Sequence, residues 1–235
     1  MRVLAGTSGY SYPQWKGSFY PEDLPASKML AHYAGRLPTV EINNTFYRMP
    51  KPEVVRAWAE AAPEGFSFVL KSPRQITHVK RLAADSADSV RRFFEVGAEL
   101  GAKRGPALFQ LPPFLKQDVA RLAAFLDLLP ADVRAAFEFR HESWFDDEVY
   151  AALRARGAAL CIAEDEDLAT PLVPTADWGY LRLRRQDYDG AAVRVWAERL
   201  RAQPWQDAWV FFKHEDEGVG PRLAAELLAE VAKTG

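Results

Sequence analysis

Residues 40–50 read VEINNTFYRMP, and the placement of Val40 to Asn43 decides the fold. Val40 and Ile42 alternate with Glu41 and Asn43, which is the period of a β-strand. The alternation stops at Asn44 and Thr45, and two aromatics follow. On a half-buried strand Glu41 and Asn43 would face water. On a barrel strand the same parity would point into the interior.

The rest of the chain favours the barrel. Short β-branched or aromatic runs recur: VLAGTS (3–8), TVEIN (39–43), FSFVLK (66–71), PALFQL (106–111), AAFEFR (135–140), ALCIAE (159–164), GYLRLR (179–184) and AWVFFK (208–213). Between them lie segments with an apolar helical stripe, at about 27–36, 52–62, 85–101, 118–129, 146–156, 191–202 and 220–233. Ser27, Asp85 and Asp118 stand where an N-cap oxygen would accept the first free N–H groups, and Pro221 suits a first helical position. Eight strands alternating with helices predict an α/β fold, a parallel (β/α)8 TIM-barrel-like domain over residues 1–235. The segment DEDLATPLVPTADW (165–178) has two prolines and no helical stripe, so the helix between strands 6 and 7 is expected to be reduced or missing. An open doubly wound sheet is the alternative. Against it, GTSGY after the first strand lacks dinucleotide-binding spacing.

Composition sets limits on function. The chain has 235 residues, is 49% hydrophobic and 26% charged, and balances 30 Lys+Arg against 32 Asp+Glu. Nothing in the global charge advertises nucleic acid, so an anion site must arise from local arrangement. A single cysteine, Cys161, excludes an intrachain disulfide; its inward parity on an apolar strand suits a buried inert thiol. The apolar run after Met1-Arg2 is far too short for a signal peptide or a membrane span, so the expectation is a cytoplasmic, soluble protein without a membrane partner.

Parity then defines a candidate site. Val40, Ile42, Phe66, Phe68, Leu70, Phe137, Phe139, Leu160, Ile162, Leu181 and Leu183 take the helix-facing positions. The opposite parity carries Glu41, Asn43, Lys71, Gln110, Glu138, Arg140, Asp165, Arg182 and Arg184 inward, with Phe211 and Lys213 on the last strand. Barrel interiors are normally layered with branched aliphatics, and active sites lie at the carboxyl-terminal face. Buried charges need partners or a ligand. The inward set holds five cations (Lys71, Arg140, Arg182, Arg184, Lys213) against three anions (Glu41, Glu138, Asp165). This excess points to a carboxylate or phosphate ligand held by arginine forks. Ion pairs such as Glu41–Arg182 or Glu138–Arg140, plugging the barrel without a ligand, are the structural alternative.

The loops on the same face are aromatic. Tyr10, Trp15, Tyr47 and Trp144 are read as a stacking wall, with His141 beside them; Phe19, Tyr20 and Phe46 fit equally a small core closing the barrel top. Gly218 and Gly220, before the last helix, resemble a phosphate-binding turn. A divalent metal on Asp165, His214, Glu138 and Glu41, with His141 and His78 nearby, is weighed. The absence of HxH, HxxxH and HExxH spacings speaks against it, so no metal ligand is assigned and the cofactor is left unknown.

GTSGYSYPQWKGSFYP, VEINNTFYRMP, FSFVLKSPRQITH, ALFQLPPF, FEFRHESWF and GYLRLRR, in this order, resemble the successive blocks of the domain-of-unknown-function 72 (YecE-like) family. The resemblance spans nearly the whole chain. It implies a TIM-barrel-like fold and no assigned activity. A distant similarity of such barrels to zinc-dependent abasic-site endonucleases adds nucleic acid as a partner. The matched positions are Glu41, Asn43, Thr45, Phe46, Tyr47, Lys71, His78, Gln110, Glu138, Arg140, His141 and Trp144. The family's last strand commonly ends in two asparagines, where this chain has Lys213-His214-Glu215-Asp216.

The resulting expectation is a small-ligand enzyme or binding protein whose barrel mouth takes an anionic, phosphate-bearing molecule; hydrolysis of a phosphoester is the favoured reaction and isomerisation the other one open. Glu41, Glu138 and Asp165 are the candidate catalytic groups, the first two as an acid/base pair. Asn43, Lys71, Gln110, Arg140, Arg182, Tyr10, Trp15, Tyr47, Trp144 and His141 are the candidate substrate contacts. A nucleic-acid-processing protein and a non-enzymatic plugged barrel are the alternatives.

Overall fold

Strand β1, Arg2–Ser8, pairs in parallel on both sides, with β2 (Thr39–Ile42) and with β8 (Asp207–Phe212). β3 (Ser67–Lys71), β4 (Arg104–Gln110), β5 (Ala135–Glu138), β6 (Ala159–Glu164) and β7 (Trp178–Leu183) fill the order between them and close the barrel. The computed structural model describes residues 1–164, 168–213 and 216–233. The eight strands are those expected from the alternating runs.

Helices α1 (Met29–Ala34), α2 (Asn44–Tyr47), α3 (Pro52–Ala61), α4 (Ala87–Gly97), α5 (Val119–Leu126), α6 (Asp147–Arg156), α7 (Gly190–Arg201) and α8 (Val219–Ala232) connect them. Among the described residues, none between β6 and β7 is helical. Thr175 ties that connection down instead: its Oγ1 donates to Ala158 O at 2.8 Å and accepts from Leu160 N at 2.7 Å.

The start signals behave unequally. Asp118 caps α5, accepting from Arg121 N at 2.9 Å. Ser27 and Asp85 fall inside 3₁₀ turns that precede α1 and α4 and make no capping bond. Pro221 is the third residue of α8, behind a left-handed Gly218, and not the first. Gly6 is fixed by close approach: a Cβ there would lie 2.0 Å from Thr39 O on the neighbouring strand.

The two parities build two cores. Val40, Ile42, Phe68, Leu70, Phe137, Phe139, Leu181 and Leu183 are buried between strands and helices. Inside the barrel, Leu4, Val69, Leu108, Ala136, Cys161, Trp178, Tyr180, Trp209 and Phe211 form a separate apolar cluster. Each such side chain contributes about 1.5–3 kcal/mol on burial. The Trp178 and Trp209 rings meet edge-on at 5.8 Å near the amino-terminal end, with Arg134 over both. Bulky rings therefore fill the lower half of the interior, and the polar groups are left at the carboxyl-terminal mouth. Among the described residues, no helix is long and apolar enough to cross a membrane.

Candidate functional site

The floor of the mouth is an ion cluster built by strand register. Glu41 stands beside Ser8 of β1, and Gln110 beside Glu138 of β5, as direct cross-strand neighbours. From β7, Arg182 reaches both carboxylates: Nη2 lies 2.8 Å from Glu41 Oε1 and Nη1 lies 2.6 Å from Glu138 Oε2. The remaining acceptor capacity is filled as well. Glu41 accepts from Ser8 Oγ at 2.8 Å, Asn43 Nδ2 at 3.2 Å and Tyr180 OH at 2.6 Å. Glu138 accepts from Gln110 Nε2 and from Arg184 Nη2, both at 2.9 Å. Arg140 Nε stands 4.0 Å from the same carboxylate.

Both carboxylates are fully buried. Burial alone would raise their pKa values. For Glu138 the guanidiniums of Arg182 and Arg184 outweigh burial and hold it down to about 2. For Glu41 burial is likewise outweighed, by Arg182 and by the bonds from Tyr180 and Ser8, and the net shift is downward. An acid/base pair needs two carboxyls pushed apart in pKa. Here one arginine holds both ionised, and neither is exposed. In this geometry Glu41 and Glu138 stand at the floor as the counter-charges of Arg182. The third expected catalytic group, Asp165, lies outside the described residues, as do His214 and Glu215.

Above this floor opens a cleft of about 660 Å³. Its wall carries Lys71, Arg74, Arg140, Arg182, Arg184 and Lys213, and no carboxylate among the described lining residues. Among the described residues, six cations stand over two buried carboxylates, in a protein of net charge -2. Lys71 donates to Gln110 Oε1 at 2.8 Å and sits 4.3 Å from the centre of the Phe46 ring. Burial, and then Arg182, lower its pKa to about 8. Thr45 holds this wall in place, donating to Lys71 O at 2.6 Å and so fixing α2, with Phe46, over the end of β3.

The loop after β3 supplies the other wall. A π-helical turn, Gln75–Val79, carries His78 to the Phe46 ring, with ring centres 4.9 Å apart at 83°. Such single π-turns recur at functional sites. The turn is followed by Arg81 and Leu82, both with positive φ (51° and 62°), a rare strained pair for non-glycine residues. Burial lowers the His78 pKa, and Lys71, Arg74 and Arg140 lower it further.

Of the expected contacts, Asn43, Lys71, Gln110, Arg140, Arg182 and Tyr47 line this cleft. Tyr47 is 76% exposed at its lip. Trp15 and Trp144 do not form a wall, contrary to expectation. Trp15 is fully buried among Tyr12, Phe19 and Tyr20. Trp144 stacks on Phe139 at 4.5 Å and 6° and donates to Leu115 O. Tyr10 packs against Tyr33, and its carbonyl accepts from Tyr20 OH. His141 caps the turn Glu142–Trp144 by accepting from Ser143 N at 3.1 Å. Gly218 abuts Ser18 and Phe19, so the start of α8 is covered by the first loop and is not part of the cleft.

Sequence parity overlooked Arg74, Tyr12 and Ser8, which also line the cleft, as does His78, expected in a mouth loop. Arg74 and His78 sit in a loop without periodicity; Ser8 had a signal, being the last inward position of β1. For a metal, the two buried glutamates are already engaged by arginine. No group of three or more potential ligands occurs among the described residues.

Comparison with known proteins fits this architecture. The sequence model of a family described as "Protein of unknown function DUF72" matches residues 4–235. UPF0759 protein YunF of Bacillus subtilis is 25% identical over 219 residues, which cover 85% of this chain and 75% of that protein. UPF0759 protein YecE of Escherichia coli is 32% identical over 144 residues, 61% of this chain and 50% of that protein. The crystal structure of the DUF72 family protein TM1631 from Thermotoga maritima aligns over 99% of this chain and 100% of its own, with a TM-score of 0.87 and 24% identity. That likeness shows a shared fold.

Proposed function

Since the chain belongs to the DUF72 family, described as proteins of unknown function, we propose from the chemistry of its own barrel mouth that it binds an anionic small molecule carrying phosphate or carboxylate. The observation that carries this reading is the lining: six cationic side chains and, among the described residues, no carboxylate. Arginine forks bind planar or tetrahedral oxyanions with two parallel bonds. The cleft volume suits a small ligand.

Hydrolysis of a phosphoester in this seat would use Arg140, Arg184 and Lys71 to neutralise the phosphoryl oxygens. His78, at the wall and with its pKa lowered by burial, would be the base toward water, because Glu41 and Glu138 are committed to Arg182. A thermal-shift series tests the anion seat. Sulfate and inorganic phosphate should raise the melting temperature over chloride at matched ionic strength, and Arg140→Ala should abolish the difference. Equal melting in all three salts would remove the proposal.

Nucleic acid is the second reading, favoured by exposed rings on the same face. Tyr47 is 76% exposed and Phe114 is 61% exposed, with the Arg81 guanidinium 5.1 Å from the Phe114 ring. Rings and cations together suit single-stranded bases and phosphates. Binding of an oligonucleotide that weakens steeply with salt would support it. No binding at low salt would exclude it.

A further inference from the structure

Lys71 differs from the other cations of the mouth. It ends β3 at the floor of the cleft, 9% exposed, yet it lines the open space. Among the described residues its ammonium forms no ion pair within 4.0 Å; its hydrogen-bond partner is the neutral Gln110 Oε1 at 2.8 Å. The orientation of that amide is set from the other side, where Gln110 Nε2 donates to Glu138 at 2.9 Å. A neutral amine satisfies the same contact with one N–H and keeps its lone pair for the cleft. An arginine at this position would have no such form.

The surroundings decide between the two protonation states. Burial disfavours the ammonium, as do Arg182 from β7 and Arg184 just beyond it; Glu41 from β2 and Glu138 from β5 favour it, and so does the Phe46 face. The balance leaves the pKa at about 8, well below an ordinary lysine. Arg74, His78 and Arg140 complete the charged and titratable groups around it. A lysine desolvated among cations is the usual form of an amine nucleophile.

We propose that Lys71 Nζ forms a Schiff base with an aldehyde or ketone whose phosphate or carboxylate is held by the arginines of the mouth. This rests on the anion seat proposed above and names its substrate class, an anionic carbonyl compound. The amine lone pair attacks the carbonyl carbon while the carbonyl π pair moves to oxygen. One N–H proton passes to that oxygen, giving a carbinolamine. The nitrogen lone pair then forms the C=N bond as the C–O bond breaks, and the departing oxygen takes the remaining N–H proton and leaves as water, yielding the neutral imine. No oxidant or reductant enters. His78 lines the same cleft, its ring centre 4.9 Å from that of Phe46, and in this proposal would carry the proton from nitrogen to oxygen.

The test uses the full chain with pyridoxal 5′-phosphate as the anionic aldehyde and pyridoxal as its counterpart without phosphate. Borohydride traps any imine as a stable secondary amine, which peptide mass mapping locates. Sulfate melting shifts are measured in parallel. The expected result is one label per chain at Lys71, at least tenfold less with pyridoxal, protected by sulfate and absent from Lys71→Arg. That variant retains the charge, so its sulfate shift shows that the seat and fold survive. Sulfate binding with no label at Lys71, or with label spread evenly over lysines, overturns the Schiff base while leaving the anion seat. Neither binding nor label overturns both.

Discussion

Arg182 Nη1 lies 2.6 Å from Glu138 Oε2, with both side chains almost wholly out of water. Taking these charges from water costs several kcal/mol per ion, and only the completed network offsets it. Replacing Glu138 by Gln keeps the shape and removes the charge that faces Arg182 and Arg184. The Glu138→Gln variant should lose about 3 kcal/mol in urea unfolding, the range for breaking a buried pair. A loss below about 0.5 kcal/mol, the size of a surface change, would mean that the network contributes nothing to stability.

The same carboxylate sets a pH dependence. Burial raises its pKa, but Arg182 and Arg184 bring it down to about 2 in the folded chain. In the unfolded chain a glutamate titrates near ~4.3. The folded value is the lower one, so its stabilisation is complete above the unfolded value and is lost as pH falls toward 2. The gap in unfolding free energy between wild type and Glu138→Gln should be constant above about pH 5 and narrow between about pH 4 and 2. A gap that widens on acidification would contradict the ionised assignment.

Lys71 gives a second pH signature, at the opposite end. Its folded pKa is lowered, first by burial and then by Arg182, to about 8, so its positive charge disappears as pH rises through that value. Sulfate keeps its own charge across this range. Sulfate affinity should fall about fivefold from pH 6.5 to 9, equivalent to a charge pair worth about 1 kcal/mol. In Lys71→Arg the profile should be flat, because a guanidinium stays charged. Calorimetric titration at several pH values distinguishes the two.

The tryptophans separate structure from binding. Trp144 lies face to face with Phe139 at 4.5 Å and is 1% exposed. Trp144→Ala should cost about 3–5 kcal/mol of stability, as for large core truncations. Tyr47, exposed at the lip, should behave in reverse. Tyr47→Ala should change stability by less than about 0.5 kcal/mol while weakening whatever ligand occupies the cleft. Parallel melting and binding measurements on the two variants check this division.

Much of this arrangement could be read from the sequence, for a definite reason. A strand repeats every two residues, so Glu41, Lys71, Gln110, Glu138 and Arg182 were placed inward by parity alone, and their register neighbours brought them together. That none of the described residues between β6 and β7 is helical agrees with the two prolines there. Loops have no such period. Trp15 and Trp144 look from sequence like a binding wall because aromatic loops serve both as lids and as small cores; only packing tells them apart. Arg74 and His78 enter the cleft through a π-turn that no local pattern announces. Nor does parity give protonation. Arg182 reaching two carboxylates at once is a three-dimensional fact that strand parity does not give.

The most direct measurement of the central claim is the anomalous difference density of a tungstate-soaked crystal. An anion seat predicts one strong peak within the cleft, within hydrogen-bond reach of Arg140, Arg184 or Lys71, and its loss in Arg140→Ala. A saturating soak that leaves the cleft empty, or places tungstate only on outer surfaces, would contradict it.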